Sequence, residues 1–220
     1  MKTFYLTDAG KVRSHNEDSV TILKNQSDEY LLMVCDGMGG HRAGEVASSM
    51  VVTHMGKRFN EMASVGPKVD AINWMNDNIN EVNRAIEEYA KKNPESLGMG
   101  TTVVMALLTK DHTLVNLLVQ AGDLTEEEAK YHPKKNVLMK ALGSGETAEL
   151  DIFDVDMGAS GILLCSDGLT NMLSVEQIEK VINDETLDIE EKVVKLIRKC
   201  NARGGTDNIS VAYLEKESGE

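Results

Sequence analysis

Val20-Thr21-Ile22-Leu23, then Lys24-Asn25-Gln26-Ser27-Asp28-Glu29, then Tyr30-Leu31-Leu32-Met33-Val34-Cys35-Asp36-Gly37 is the stretch from which the rest of the chain can be ordered. Two short apolar runs, rich in β-branched and large aliphatic residues, are separated by a polar turn, which is the pattern of a β-hairpin. Glu17 and Asp18 immediately precede the first run and Asp36 immediately follows the second. In an antiparallel pair the start of one strand and the end of its partner share an edge. The hairpin therefore predicts three acids at one end of one ladder.

Outward from the hairpin, the pattern changes period. Val46, Met50, Val51, His54 and Met55 recur at helical spacing from Ala43 to about Met62, and Ile72, Met75, Ile79, Val82 and Ile86 repeat it from Ala71 to about Lys92. Gly98-Met99-Gly100-Thr101-Thr102 then leads into a strand, Val103 to Leu108. Leu114 to Val119 reads as helical, and Thr125 with Glu128 forms a capping box for a small helical excursion ending near Pro133. Strands are expected again at Leu150 to Val155, Gly161 to Cys165 and Ile209 to Leu214. Ser174 with Gln177, and Asp188 with Glu191, supply the N-terminal caps of two further helices. Strands and helices mix without regular βαβ alternation, so the fold class is α+β with mainly antiparallel sheet.

A second pair of acids follows from the same geometry. Asp167 comes just after Ile162-Leu163-Leu164-Cys165, and Asp207 just before Ile209-Ser210-Val211-Ala212. If those strands pair antiparallel, Asp167 and Asp207 converge. Cys35-Asp36-Gly37 and Ser166-Asp167-Gly168 also echo one another, each setting Asp-Gly at the end of an apolar strand. The glycine would permit unusual backbone angles, and at Gly37 it could expose a carbonyl oxygen as a ligand. Asp-Gly after a strand is in general more often a plain turn than a metal site.

Composition narrows the classes. The 220 residues fit one domain, spanning 1–220, with enough chain to bury a core without staples. Hydrophobic residues make up 41% and charged residues 27%, and no apolar run approaches the roughly 20 residues of a membrane span. Met1 to Gly10 reaches Asp8 before a signal-like apolar stretch forms, which points to the cytoplasm. Cys35, Cys165 and Cys200 contain no CxxC pair and read as reduced, structural thiols. A formal net charge of −13 argues against nucleic acid or an anionic membrane as partner.

Five motifs occur in order: Arg13-Ser14-His15-Asn16-Glu17-Asp18, Asp36-Gly37-Met38-Gly39-Gly40-His41, Gly98-Met99-Gly100-Thr101-Thr102, Cys165-Ser166-Asp167-Gly168-Leu169 and Gly204-Gly205-Thr206-Asp207-Asn208. Together they resemble the metal-dependent (PPM, type 2C) serine/threonine protein phosphatases, particularly the compact bacterial members, over nearly the whole chain. The resemblance implies a sandwich of two mainly antiparallel β-sheets flanked by helix pairs, with a small helical flap at about 112–142. It implies two Mn2+ or Mg2+ ions, with Asp36 bridging them, the Gly37 carbonyl assisting at one, Asp167 and Asp207 at the other, and Glu17 and Asp18 acting at the second ion directly or through water. Oxygen donors of this kind are the hard ligands such cations prefer, and the shortage of nearby His or Cys argues against structural zinc.

Arg13 is the natural phosphate clamp, since its guanidinium offers a planar pair of donors; the plainer alternative is a surface salt bridge. His41 would suit a general acid for the leaving seryl or threonyl oxygen. Members of the family with a histidine directly after Asp-Gly have Met38 as the counterpart here, so the alternative for His41 is to cap a helix or order a metal-bound water. The implied partners are phosphorylated proteins, together with the serine/threonine kinase that produces them.

The chain also departs from the family. The Gly-Thr-Thr strand is normally followed by further strands carrying a Gly-Asp-Ser-Arg motif, whose aspartate serves a third metal site, and roughly 30 residues of that architecture are missing by strand and turn length. Losing interior strands exposes sheet edges unless neighbours close the gap. A noncatalytic phosphoprotein-binding or regulatory module is therefore the alternative to an active phosphatase.

Overall fold

The computed structural model describes residues 1–39, 43–108, 142–143, 147–152, 154 and 160–216. Its hairpin is longer than the apolar runs alone suggest: β2 is Asp18–Lys24 and β3 is Tyr30–Met38, paired antiparallel from Asp18↔Asp36 to Lys24↔Tyr30. The turn between them is held by Glu29, which is 4% exposed and accepts from Asn25 Nδ2, Ser64 Oγ and Val65 N. On the other side of β3 lie β4 (Gly100–Thr101) and β5 (Val104–Leu108), also antiparallel.

The second sheet has the order β1-β7-β6, with β1 at Lys2–Asp8, β6 at Gly161–Cys165 and β7 at Ile209–Glu215. Both of its pairings are antiparallel. β1 has no counterpart in the sequence reading, although Phe4 and Leu6 alternate with the exposed Thr3 and Tyr5.

Strand periodicity explains the layers. Leu31, Met33 and Cys35 leave one face of β3 and pack on Ala47, Val51 and Met55 of α1 (Ala43–Glu61) and on Ile79, Val82 and Ile86 of α2 (Lys68–Lys92). Leu32 leaves the other face and meets Leu214 of β7, together with Ala106, Leu108, Ile22, Ile162 and Leu164 between the sheets. Ile209, Val211 and Tyr213 leave the far face of β7 and pack on Val193, Leu196, Ile197 and Cys200 of α5 (Ile189–Ala202). A short α3 (Asp167–Thr170) and α4 (Val175–Ile182) complete that layer. The result is a helix–sheet–sheet–helix sandwich, as expected.

Both expected caps form. Ser174 N donates to Gln177 Oε1, and Asp188 and Glu191 exchange hydrogen bonds reciprocally at the start of α5. The strand expected at Leu150 to Val155 does not form among its described residues, 150–152 and 154. The chain is instead tied to α2 just before this segment by Asn80, whose amide exchanges hydrogen bonds with Ala148 N and O, and within it by the Lys68–Asp154 side-chain ion pair. The helices expected from Leu114 to Pro133, and all of the flap but Leu142, lie outside the described residues.

Among the described residues β5 pairs only with β3, and β6 only with β7. Every residue of β6 is half-buried although the strand reads Gly-Ile-Leu-Leu-Cys, whereas β7, paired on both sides, is buried from Ile209 to Leu214.

Candidate metal centre

Asp18 and Asp36 lie directly opposite one another in the β2–β3 ladder. Both belong to the strands rather than flanking them, and so does Gly37. The backbone around them is fixed from three directions. Glu17 N donates to Asn208 Oδ1 at 2.9 Å, and Glu17 O accepts from Ser48 Oγ of α1 at 2.6 Å and Gly37 N at 3.2 Å. Asp36 O accepts from Thr102 N at 2.9 Å and Thr101 Oγ1 at 3.0 Å, and Asp36 N donates to Thr102 Oγ1 at 3.2 Å. The Gly-Thr-Thr motif thus clamps the Asp36 peptide units.

The other two acids arrive by the predicted route. Cys165 pairs with Val211, Ser166 N continues the ladder to Ser210 O, and Asp167 opens α3. Asp207 precedes β7, and both of its oxygens are engaged: Oδ1 accepts from Asn208 N and Oδ2 from Arg13 NH2, each at 2.9 Å.

The two Asp-Gly pairs are similar for a different reason from the one expected. Neither Gly37 nor Gly168 has a positive φ. Each is a glycine because backbone passes too close for a side chain: Gly44 O and Glu17 O over Gly37, and Asn208 O over Gly168.

Electrostatics join the four aspartates. Asp36 is pushed up to about 7, first by burial and then by the charges of Asp18, Asp167 and Asp207, with Arg13 pulling the other way. Asp18 is also raised, by burial first; the Ser210 and Ser166 hydroxyls oppose this, and Asp207 and Asp167 add to it. Burial raises Glu17 as well, against the pull of Arg13 and His15. Asp18 Oδ2 is buried and has no hydrogen-bond partner. Such an orphaned oxygen is costly unless something electropositive meets it.

The donor chemistry fits divalent cations: carboxylate and carbonyl oxygens, mutual repulsion and an unsatisfied buried oxygen are all relieved by positive charge. Among the described residues, however, no three Asp, Glu, His or Cys side chains close into a cluster that could hold one ion. At Asp207 the cause is visible, since Arg13 and Asn208 already hold its oxygens. Thiol chemistry does not fit, because burial raises all three free cysteines, taking Cys165 to about 11.

His41, expected as a general acid or else a helix cap or water-ordering group, lies outside the described residues. Several supporting residues escaped the sequence reading: Ser48, Ser166, Ser210 and Asn208 are all buried, and Gly44 packs against Gly37. Of these, only Ser166 and Asn208 fall inside motifs, Cys165–Leu169 and Gly204–Asn208, because the partners of the others lie far away in sequence.

Two antiparallel sheets between helix layers, with aspartates from both sheets gathered at one end, define a class of α+β proteins whose site is built from strand ends. The protein phosphatase 2C family model matches residues 9–207, and the chain belongs to that family. It is 36% identical to the serine/threonine phosphatase stp of Listeria monocytogenes, covering 99% of this chain and 96% of that one. It is 34% identical to the protein phosphatase PhpP of Streptococcus pneumoniae, covering 97% of each. The S. agalactiae serine/threonine phosphatase structure superposes with a TM-score of 0.79 at 36% identity, covering 98% of this chain and 99% of that chain. The catalytic domain of the phosphatase PstP, solved in complex with two manganese ions, superposes with a TM-score of 0.72 at 30% identity, covering 97% of each chain. The stp alignment runs over 244 positions against 220 residues here, so at least 24 aligned positions have no counterpart in this chain. That agrees with the missing segment inferred from the motifs.

Proposed function

We propose that this chain is a single-domain protein serine/threonine phosphatase that removes phosphate from phosphoserine and phosphothreonine on proteins. The observation that carries the reading is the convergence of Asp18, Asp36, Asp167 and Asp207, where burial first and the neighbouring carboxylates second raise Asp36 to about 7. The proposed ligands of two Mn2+ or Mg2+ ions are Asp36, the Gly37 carbonyl, Asp167 and Asp207, with Glu17 and Asp18 direct or through water. When bound, such ions supply an activated water and offset negative charge at phosphorus.

The chain's own residues do the positioning. Thr101 and Thr102 hold Asp36; Ser48 and Asn208 hold Glu17; the Ser166 and Ser210 hydroxyls support Asp18. Arg13 reaches the same end of the sandwich through Asp207 and is the group proposed to bind phosphate oxygens. His41 is proposed to protonate the leaving oxygen or, failing that, to cap α1 or order a ligand water. Phosphorylated cytoplasmic proteins, and the serine/threonine kinase that makes them, are the proposed partners. No described helix is long and apolar enough to cross a membrane.

The test is hydrolysis of a phosphothreonine peptide and an aryl phosphate with Mn2+, with and without chelator, beside Asp36→Asn. Metal-dependent turnover that the substitution abolishes supports the phosphatase. The shorter chain and the half-buried β6 favour one second reading, a phosphoprotein-binding module that does not turn over. Phosphopeptide binding without hydrolysis would establish it.

A further inference from the structure

We propose that Asn208 is a positioning residue that sets the phosphate affinity of Arg13 by locking the loop from Ala9 to Glu17 against β7. This inference rests on the assignment of Arg13 to phosphate. Asn208 is 7% exposed, and its amide spans the loop. Nδ2 donates to Ala9 O and to His15 O, each at 3.0 Å, while Oδ1 accepts from Glu17 N at 2.9 Å. Both amide protons and the carbonyl are therefore spent on one segment, at its two ends.

The near half of the loop is anchored separately. Lys11 N and Val12 N donate to Gly205 O at 2.8 and 3.3 Å, and Gly10 N donates to Asp8 Oδ1 at 2.8 Å. Gly10, at φ +75°, lies against the Asp207 and Gly205 carbonyls, where a methyl group would overlap both. Among the described residues the Arg13 guanidinium hydrogen-bonds only to Asp207, and its side chain is 56% exposed. A long, solvated guanidinium gains a defined direction only if its backbone is fixed, and Asn208 fixes the backbone after it as Gly205 fixes the backbone before it.

Residue chemistry makes the role specific. Asp at 208 would keep the acceptor for Glu17 N but lose both donors and set negative charge against two carbonyls. Ala would lose all three side-chain bonds while leaving the backbone bond from Asn208 N to Asp207 Oδ1. Asn208 therefore acts on phosphate through Arg13, with no group of its own on the substrate.

The experiment measures inorganic phosphate binding to Mg2+-loaded protein by calorimetry for wild type, Asn208→Ala, Arg13→Ala and the double variant, with phosphopeptide hydrolysis run in parallel. Arg13→Ala is expected to weaken phosphate about tenfold or more, as befits a lost charge-assisted pair. Asn208→Ala is expected to weaken it about threefold to tenfold, and to have no further effect once Arg13 is gone, because the two act as one unit. Phosphate is titrated at saturating Mg2+, because Asn208→Ala also frees Glu17 N, and the cycle with Arg13→Ala separates the effect on phosphate from any change at the ions. If Asn208→Ala fails to fold, the isosteric Asn208→Asp is read by the same cycle with Arg13→Ala. A lowered melting temperature with unchanged phosphate affinity, or an effect that adds fully to Arg13→Ala, overturns the inference and spares the phosphatase reading. Coupled phosphate binding without any hydrolysis does the reverse.

Discussion

Arg13 NH2 lies 2.9 Å from Asp207 Oδ2, so a guanidinium holds an oxygen of a residue proposed to ligate a divalent cation. The pair is exposed enough, at 56% and 34% of the two side chains, that water screens it. Pairs of this kind contribute about 0.2 to 1 kcal/mol. Two positive charges sharing one carboxylate oxygen must compete, so Arg13→Ala is expected to tighten Mn2+ binding by about twofold to fivefold. Calorimetric titration with Mn2+ in the absence of phosphate reads this directly. An unchanged or weaker affinity would show that Arg13 orders Asp207 rather than competing for it.

Asp36 makes a prediction about stability and pH. Its carboxyl titrates at about 7 in the folded chain, well above its ordinary range. From about pH 4 to about pH 7 the unfolded chain releases this proton while the folded chain keeps it, so the fold loses stability as pH rises across that window. Asp36→Asn removes the penalty. In chelator, the melting temperature of the variant should exceed wild type at pH 8 by more than at pH 5. The side chain is only partly buried, so the gain after screening is on the order of 1 to 2 kcal/mol. Added Mn2+ should reverse the order, stabilising wild type and leaving the variant behind.

The cysteines should be quiet in the folded protein. Cys165 sits at about 11, and burial raises Cys35 and Cys200 as well. At pH 7.5 the thiolate fraction at Cys165 is then on the order of 3 in 10,000. Reaction with a disulfide reagent should be slow for the native chain and fast in denaturant. Rapid native labelling at Cys165 would mean that the half-buried β6 opens.

How much of this could be read from the chain depends on the range of the interaction that decides each feature. The hairpin and its acids were legible because Val20–Leu23 and Tyr30–Cys35 carry their own periodicity and turn, and Asp167 and Asp207 followed from one assumed pairing. β1 is not legible in the sequence, because Phe4 and Leu6 supply only a short alternation and its partner β7 lies some 200 residues away. Leu150 to Val155 reads as a strand from its apolar residues, yet Asn80 ties the backbone just before it at Ala148 and Lys68 pairs with the Asp154 carboxylate. The glycines at 37 and 168 stand out in sequence as turn residues, but crowding by distant backbone decides them and backbone angle does not. Asn208 and the serines behind the aspartates were illegible for the same reason: their hydrogen bonds join segments that only the finished fold brings together.

Crowding by distant backbone also separates two glycines that a helix-propensity argument would treat alike. Gly44 and Gly56 both lie in α1, where replacing glycine with alanine ordinarily gains up to about 1 kcal/mol. A methyl on Gly56 would meet only the end of the Leu23 side chain, at 3.0 Å, which can turn aside. A methyl on Gly44 would lie 2.7 Å from the Gly37 carbonyl carbon and 2.8 Å from both Met38 N and Glu17 Oε2. Backbone cannot yield there without moving α1 off β3. Overpacking of this kind costs about 1 to 3 kcal/mol, which outweighs the helix gain. Gly56→Ala should therefore leave the melting temperature level or slightly raised, while Gly44→Ala lowers it by roughly 2 to 4 °C per kcal/mol. Because the displaced atoms include the Gly37 carbonyl and the Glu17 carboxylate, Gly44→Ala should also weaken Mn2+ binding, and Gly56→Ala should not. Equal Mn2+ affinity in the two variants would place the close approach of α1 in the service of packing alone.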